Sequence, residues 1–310
     1  MQRWHVFALS VAVFLTFHIQ NPNARACAGD TIPDIAEHTD IAYHSGPDAD
    51  PDRHRLNLVI PQEKVPVATL LWVPGGAWAF GSREREMPVA RALARDGIAV
   101  AVVDHRMSAG RWMSEDAPAT GAVHPDHIND VARAFAWLHA HAEEYGLNKA
   151  RLYVGGFSAG GHLSALLALD EQYLTAHGLS TDHIAGALPV GGAYDLEHYY
   201  GAIRDAFGQE NADGHVLGTF GDRASLPGAS PTTYLVGAAT PMLVIAEGET
   251  AIYAGVFEAA VKNAGKADLI RFITYEQETH RSLFEQLGDA GTPSQARGAM
   301  VGFMTAGGHP

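Results

Sequence analysis

The segment Leu152-Tyr153-Val154-Gly155-Gly156-Phe157-Ser158-Ala159-Gly160-Gly161-His162-Leu163 constrains the fold more than any other. An apolar strand candidate runs into Gly156-Phe157-Ser158-Ala159-Gly160. A helical Leu163-Ser164-Ala165-Leu166-Leu167 runs straight out. A chain that passes from strand to helix in so few residues turns sharply. Glycine two before and two after the serine lets strand and helix approach closely. The serine is left on a strained turn at a helix N-terminus, where developing negative charge is favoured.

The rest of the chain supplies the frame for such a turn. Short apolar runs occur at 55–60, 67–73, 98–104, 151–156, 186–191, 241–246 and 269–275. They suit parallel strands covered on both faces. Helical stretches fall between and after them, at 126–145, 158–170, 252–264 and 294–305. The alternation predicts a mostly parallel, twisted sheet with helices on both faces in one α/β domain over 27–310. Residues 199–233 fit the alternation poorly and read as a small cap insertion over the site.

Composition narrows the partners. The chain has 310 residues and a formal charge of −14, with 35 acidic against 21 basic residues. No run of Lys or Arg offsets this, which disfavours nucleic acid and anionic lipid. At the N-terminus, Arg3 precedes the apolar run Val6 to Phe17, too short for a membrane span. Pro22 and the small residues Ala24, Ala26 and Ala28 follow. Residues 1–26 therefore read as a signal peptide, and the protein as exported, periplasmic or secreted. Cys27, the single cysteine, excludes an intramolecular disulfide and is a poor candidate for lipid anchoring.

Further residues complete a site around Ser158. Pro74-Gly75-Gly76-Ala77-Trp78 ends a strand candidate, and its glycines let backbone N–H groups turn inward. Gly76 and Ala77, joined by Ala159, are the expected oxyanion donors. In folds that carry such a serine turn, the acid and then the histidine follow in chain order. After residue 215 only His280 and His309 remain, and His309 is terminal, so His280 is the expected base. His162 reads as structural. The acid lies in Glu247-Gly248-Glu249, after the strand candidate at 241–246: Glu249, in the turn beyond the strand, is preferred and Glu247 is the alternative. Trp78, Trp112, Tyr199 and Tyr200 are candidate pocket walls. His139 and His141, two apart on a helix, make a poor chelate, and no carboxylate cluster completes a site there or at His124 with His127, so no metal and no cofactor is expected.

Taken together these residues resemble an α/β-hydrolase group of serine esterases. It includes bacterial carboxylesterases, hormone-sensitive-lipase-like enzymes and kynurenine-formamidase-like hydrolases. The resemblance covers residues 38–306 and rests on ordered matches. Tyr43 and Leu56-Asn57-Leu58 are similar to the opening hairpin, and Pro74 to Trp78 to the H-G-G-x-W loop. Val103-Asp104-His105-Arg106 is similar to V-D-Y-R, and Trp137 through Glu144-Tyr145-Gly146 to a helix end. Gly192 to Leu196 and Ser230-Pro231 match as well. Three positions depart. Pro74 replaces a histidine, which removes a hydrogen bond expected to steady the loop. His105 replaces a tyrosine. Ala251 stands where the group carries its aspartate. Glu249-Thr250-Ala251-Ile252-Tyr253 is similar to a glutamate variant of that turn, which favours Glu249. The resemblance implies an acyl-enzyme mechanism on a small carboxylic ester. The alternatives are a formamidase-like amide hydrolase, or a binding protein on the same fold with weakened catalysis.

Overall fold

The central strands are built from residues that bury both faces. In Ile98-Ala99-Val100-Ala101-Val102-Val103, alternate side chains enter two separate apolar clusters: Ile98, Val100 and Val102 one, Ala99, Ala101 and Val103 the other. Leu70 and Trp72 part from Leu71 and Val73 in the same way. A period of two with both faces apolar is the pattern of a sheet sandwiched between helices.

The computed structural model describes residues 34–62 and 65–308. The expected signal peptide and Cys27 lie outside the described residues, as does His309. The strands are β1 (Ile35–Ala42), β2 (Arg55–Pro61), β3 (Ala68–Val73), β4 (Ile98–Val103), β5 (Leu152–Phe157), β6 (Gly186–Val190), β7 (Met242–Glu247) and β8 (Ile270–Tyr275). They form one sheet in the order β1-β2-β4-β3-β5-β6-β7-β8. The β1–β2 and β2–β4 pairs are antiparallel, and all later pairs are parallel. This is the α/β-hydrolase architecture that the resemblance implied. The sequence reading placed every strand except β1, a polar edge strand with little apolar patterning to mark it.

The longer helices are α1 (Arg83–Arg95), α2 (Asp126–His141), α3 (Ala159–Leu169), α4 (Leu196–Phe207), α5 (Ala251–Asn263), α6 (His280–Gly288) and α7 (Gln295–Thr305). Buried side chains of α2, α3, α4 and α5 share one cluster, and those of α1, α6 and α7 share the other. Helices α1, α4 and α6 were not expected. Residues 208–237, between α4 and β7, hold an unbroken helical run over 209–220 with a π-helical middle, followed by short 3-10 turns. Among the described residues, no helix is long and apolar enough to cross a membrane.

Parallel strands deliver their following loops to one edge of the sheet. Val73, Phe157, Val190 and Glu247 end β3, β5, β6 and β7 there. The serine turn and both loops singled out in the sequence therefore meet at the same edge.

Candidate active site

Ser158 sits between β5 and α3 with φ 55° and ψ −115°. For a residue with a Cβ this is a strained conformation, costing on the order of 1–3 kcal/mol. Its surroundings impose it. The Ser158 N–H donates to Val190 O at 2.7 Å, and Ser158 O accepts from His162 N at 3.1 Å. A Cβ on Gly160 would lie 1.9 Å from Val73 O, and one on Gly156 would lie 2.5 Å from the same atom. Glycine at both places is a steric requirement of the turn. Ala159 opens α3, where a backbone N–H has no acceptor within the helix.

Across from it, Gly76, Ala77 and Trp78 follow one another at φ 116°, 53° and 59°. Two of these three left-handed residues are not glycine. The tertiary structure fixes them: Trp78 is buried, its carbonyl accepts from Ser108 N at 2.9 Å, and its ring lies against His162, Tyr199, His215 and Phe220. Gly76 O accepts from Ala79 N and Phe80 N, closing the loop on itself. Among the described residues, neither the Gly76 nor the Ala77 amide donates to a backbone carbonyl. Both residues line a cavity of about 300 Å³ together with Ser158, Ala159 and His280.

His280 begins α6, and its Nδ1 lies 2.9 Å from Glu247 Oε1. Glu247 is fully buried at the end of β7, and its second oxygen accepts from Thr250 Oγ at 2.7 Å. This corrects the preference for Glu249. The Glu249 carboxylate instead accepts from the backbone N–H of His280 at 3.3 Å, at the N-terminus of α6 where an acceptor is favoured. The reason is local. The chain turns immediately after Glu247, with Thr250 N donating to Glu247 O at 3.1 Å. Gly248 N donates to Glu278 O at 3.1 Å, which ties the acid turn to the segment before His280. The last residue of the strand thus points at the ring, and the residue two further on reaches the helix end.

Three further residues shape the base, and the sequence reading missed them. Gly191, at φ 60°, leaves room for the ring: a Cβ there would lie 3.0 Å from His280 Cε1 and 3.3 Å from Glu247 Oε2. Phe157 packs its ring on the imidazole at 4.4 Å. Thr250 holds the acid. A glycine directly after a strand that neighbours the serine strand was the available signal for the first.

The pocket walls divide. Trp78 and Tyr199 line the cavity, with Phe80, Ile203, Phe207 and Tyr253. Tyr200 is not among the lining residues, a correction set by helix geometry, since neighbours on a helix point about 100° apart. Its hydroxyl donates to Asp213 at 2.8 Å, and Arg223 lies over its ring. Trp112 stacks on His215 at 4.0 Å rather than lining the cavity itself. His162 is fully buried. Trp78 Nε1 donates to its Nδ1 at 3.3 Å, so Nε2 carries the proton it donates to Ala229 O at 2.8 Å. Burial pushes its pKa down to about 3, so it stays neutral while it pins the 208–237 segment to Trp78. Among the described residues no group of three His, Cys, Asp or Glu side chains is placed to hold a metal ion.

Comparison with known proteins follows the same lines. The BD-FAE family model matches residues 56–252, which span the sheet from β2 through the acid turn. The chain is 34% identical over 139 residues to the probable carboxylic ester hydrolase LipM of Mycobacterium tuberculosis, across 43% of this chain and 30% of that protein. It is 28% identical over 261 residues to a probable isoprenylcysteine alpha-carbonyl methylesterase of Oryza sativa subsp. japonica, across 76% of this chain and 57% of that one. The chain thus matches only about a third to a little over half of these relatives' length. Among solved structures it is similar to esterase B from Lactobacillus rhamnosis, with a TM-score of 0.70, 18% identity and coverage of 91% and 89%.

Proposed function

Because the chain belongs to the BD-FAE family, we propose that it is a serine carboxylic ester hydrolase working through an acyl-enzyme on Ser158. The observation that carries this reading is the imidazole of His280 held by a buried carboxylate on the wall of the cavity that the strained Ser158 also lines. The names of both relatives, a probable carboxylic ester hydrolase and a probable methylesterase, support the ester class.

The parts act as follows. Glu247 accepts a hydrogen bond from Nδ1–H of His280, which fixes the tautomer and leaves Nε2 as the base. Nε2 takes the Ser158 proton as Oγ attacks the acyl carbon. The amides of Gly76, Ala77 and Ala159 stabilise the oxyanion, and one such donor is worth about 3–4 kcal/mol in the transition state. His280 then protonates the leaving alcohol, and later takes a proton from the water that hydrolyses the acyl-Ser158 ester. The largely apolar cavity of about 300 Å³, walled by Trp78, Tyr199 and Tyr253, suits a small acyl group. Export follows from residues 1–26 in this proposal and places the substrate outside the cytoplasm. Fractionation of expressing cells tests that part, and retention of an uncleaved chain in the cytoplasm rejects it.

A series of p-nitrophenyl esters tests the activity. Turnover of the short esters is expected, with a loss on the order of 10⁴-fold or more in Ser158→Ala. A fluorophosphonate is expected to label the wild type at Ser158 and not the variant. A folded wild type that neither turns over any ester nor takes the label overturns the proposal.

A further inference from the structure

Three buried carboxylates of the described residues face cationic or histidine partners: Asp104 meets Arg83, Asp130 meets Arg106, and Glu247 meets His280. Glu86 is different. It lies on α1, fully buried, and its two oxygens receive two neutral donors. Trp72 Nε1 donates to Oε2 at 2.9 Å, and Gly75 N donates to Oε1 at 3.1 Å. The nearest cation, Arg85 Nη2, is 3.9 Å from Oε1. Burying a carboxylate whose hydrogen-bond donors are both neutral is costly even with a guanidinium 3.9 Å away, so its place beside the Ser158 turn calls for a role.

The Gly75 end of this arrangement touches the chemistry. Pro74 has no N–H, so the Gly75 amide is the first donor the chain offers after β3. A Cβ on Gly75 would lie 3.0 Å from Phe157 O and 3.3 Å from Ser158 Cβ, so the loop passes directly against the serine turn at this residue. The next two residues, Gly76 and Ala77, are the proposed oxyanion donors. Trp72, two residues before Pro74, is fixed by the core on β3. Glu86 therefore clamps the loop to the sheet on either side of a proline that cannot anchor itself.

We propose that Glu86 is a positioning residue for the oxyanion loop, holding the Gly76 and Ala77 amides at their working distance from Ser158 through the Gly75 amide. It never touches substrate. This inference rests on the ester hydrolase reading above, and its test fails separately from it.

Glu86→Gln keeps the shape, but its amide nitrogen faces one of the two donors. Kinetics at pH 8 compare the variants with Glu86 ionised in the wild type, since burial raises its pKa to about 7 against the opposing pull of Trp72, Arg85, Gly75 and His280. A short p-nitrophenyl ester reads kcat and KM. A trifluoromethyl ketone reads the loop directly: Ser158 Oγ adds to its carbonyl carbon, the serine proton passes to His280, and the carbonyl oxygen becomes an oxyanion facing the loop. The expected result is a 10–100-fold fall in kcat, KM within threefold, and a ketone inhibition constant weakened by the same factor as kcat/KM. A residue that only supports packing would lower the melting temperature and leave this parallel absent. Values of kcat and ketone affinity within twofold of wild type overturn the proposal, as does a fall in kcat with unchanged ketone affinity. If Glu86→Gln does not fold, Glu86→Asp decides. Its shorter side chain cannot reach both donors, so a 3–10-fold fall with the same parallel is expected, and wild-type values overturn the proposal. A wild type without turnover on any ester rejects the hydrolase reading and this inference with it, whereas an active wild type with an indifferent Glu86→Gln rejects this inference alone.

Discussion

The end of β5 and the end of β7 each place one side chain of the proposed active site, Ser158 on the cavity wall and Glu247 buried behind His280, yet the two turns are built on opposite principles. The serine turn is defined by what is missing. Gly156 and Gly160 have no Cβ because Val73 O occupies the space, and the spacing of those absences is written in the chain. The acid turn is defined by what points where. Glu247 and Glu249 are the same residue type two positions apart, and only the direction of the last strand residue decides that Glu247 meets His280 Nδ1. A steric constraint leaves a mark in sequence, whereas a choice between two equivalent side chains does not.

Substitutions at the two turns sharpen this contrast. The largest effect is expected from Gly160→Ala, whose new Cβ would sit 1.9 Å from Val73 O. Overpacking of that kind costs about 3 kcal/mol or more, and loss of soluble, cooperatively melting protein is expected. Gly248→Ala on the acid turn meets Glu276 O at 2.8 Å and needs a smaller shift, so folded protein of reduced melting temperature is expected. If thermal melts show the two variants equally stable, the serine turn is not the more sterically fixed of the two.

Next comes Glu247→Gln, for which a fall in kcat on the order of 10³–10⁴-fold is expected, because a neutral amide does not support the same tautomer and imidazolium. Steady-state kinetics of this variant beside Glu249→Gln decide the assignment. Thr250→Val removes one of the two donors to Glu247 and leaves the His280 contact in place. A fall of about tenfold in kcat is expected, in keeping with the loss of one hydrogen bond to a charged group. The smallest effect belongs to Glu249→Gln, since a glutamine oxygen still accepts the His280 backbone N–H. Its kcat is expected within threefold of wild type. A ranking with Glu249→Gln below Glu247→Gln in kcat would reverse the roles of the two carboxylates.

Much of the frame was legible because burial on two faces demands apolar runs, and helices demand their own period. Seven of the eight strands among the described residues follow from such runs; β1 does not, since its side chains are mostly exposed and carry no such pattern. The expectations for Ser158 and His280 came from a steric signature and from chain order. Tyr199 and Tyr200 were not separable by eye, because residue type says nothing of rotation about a helix. Glu86 left no signal either: a glutamate on a helix reads as solvated until Trp72 and Gly75 are seen to close over it.

The sequence by itself determined the parallel sheet, the glycine-bounded serine turn and the late histidine, since each follows from short-range sterics or periodicity along the chain. Only the tertiary structure decided which carboxylate holds the imidazole, which tyrosine faces the cavity and what anchors the loop after β3. Those choices depend on the direction of side chains relative to distant strands, and direction is set by packing between segments far apart in sequence.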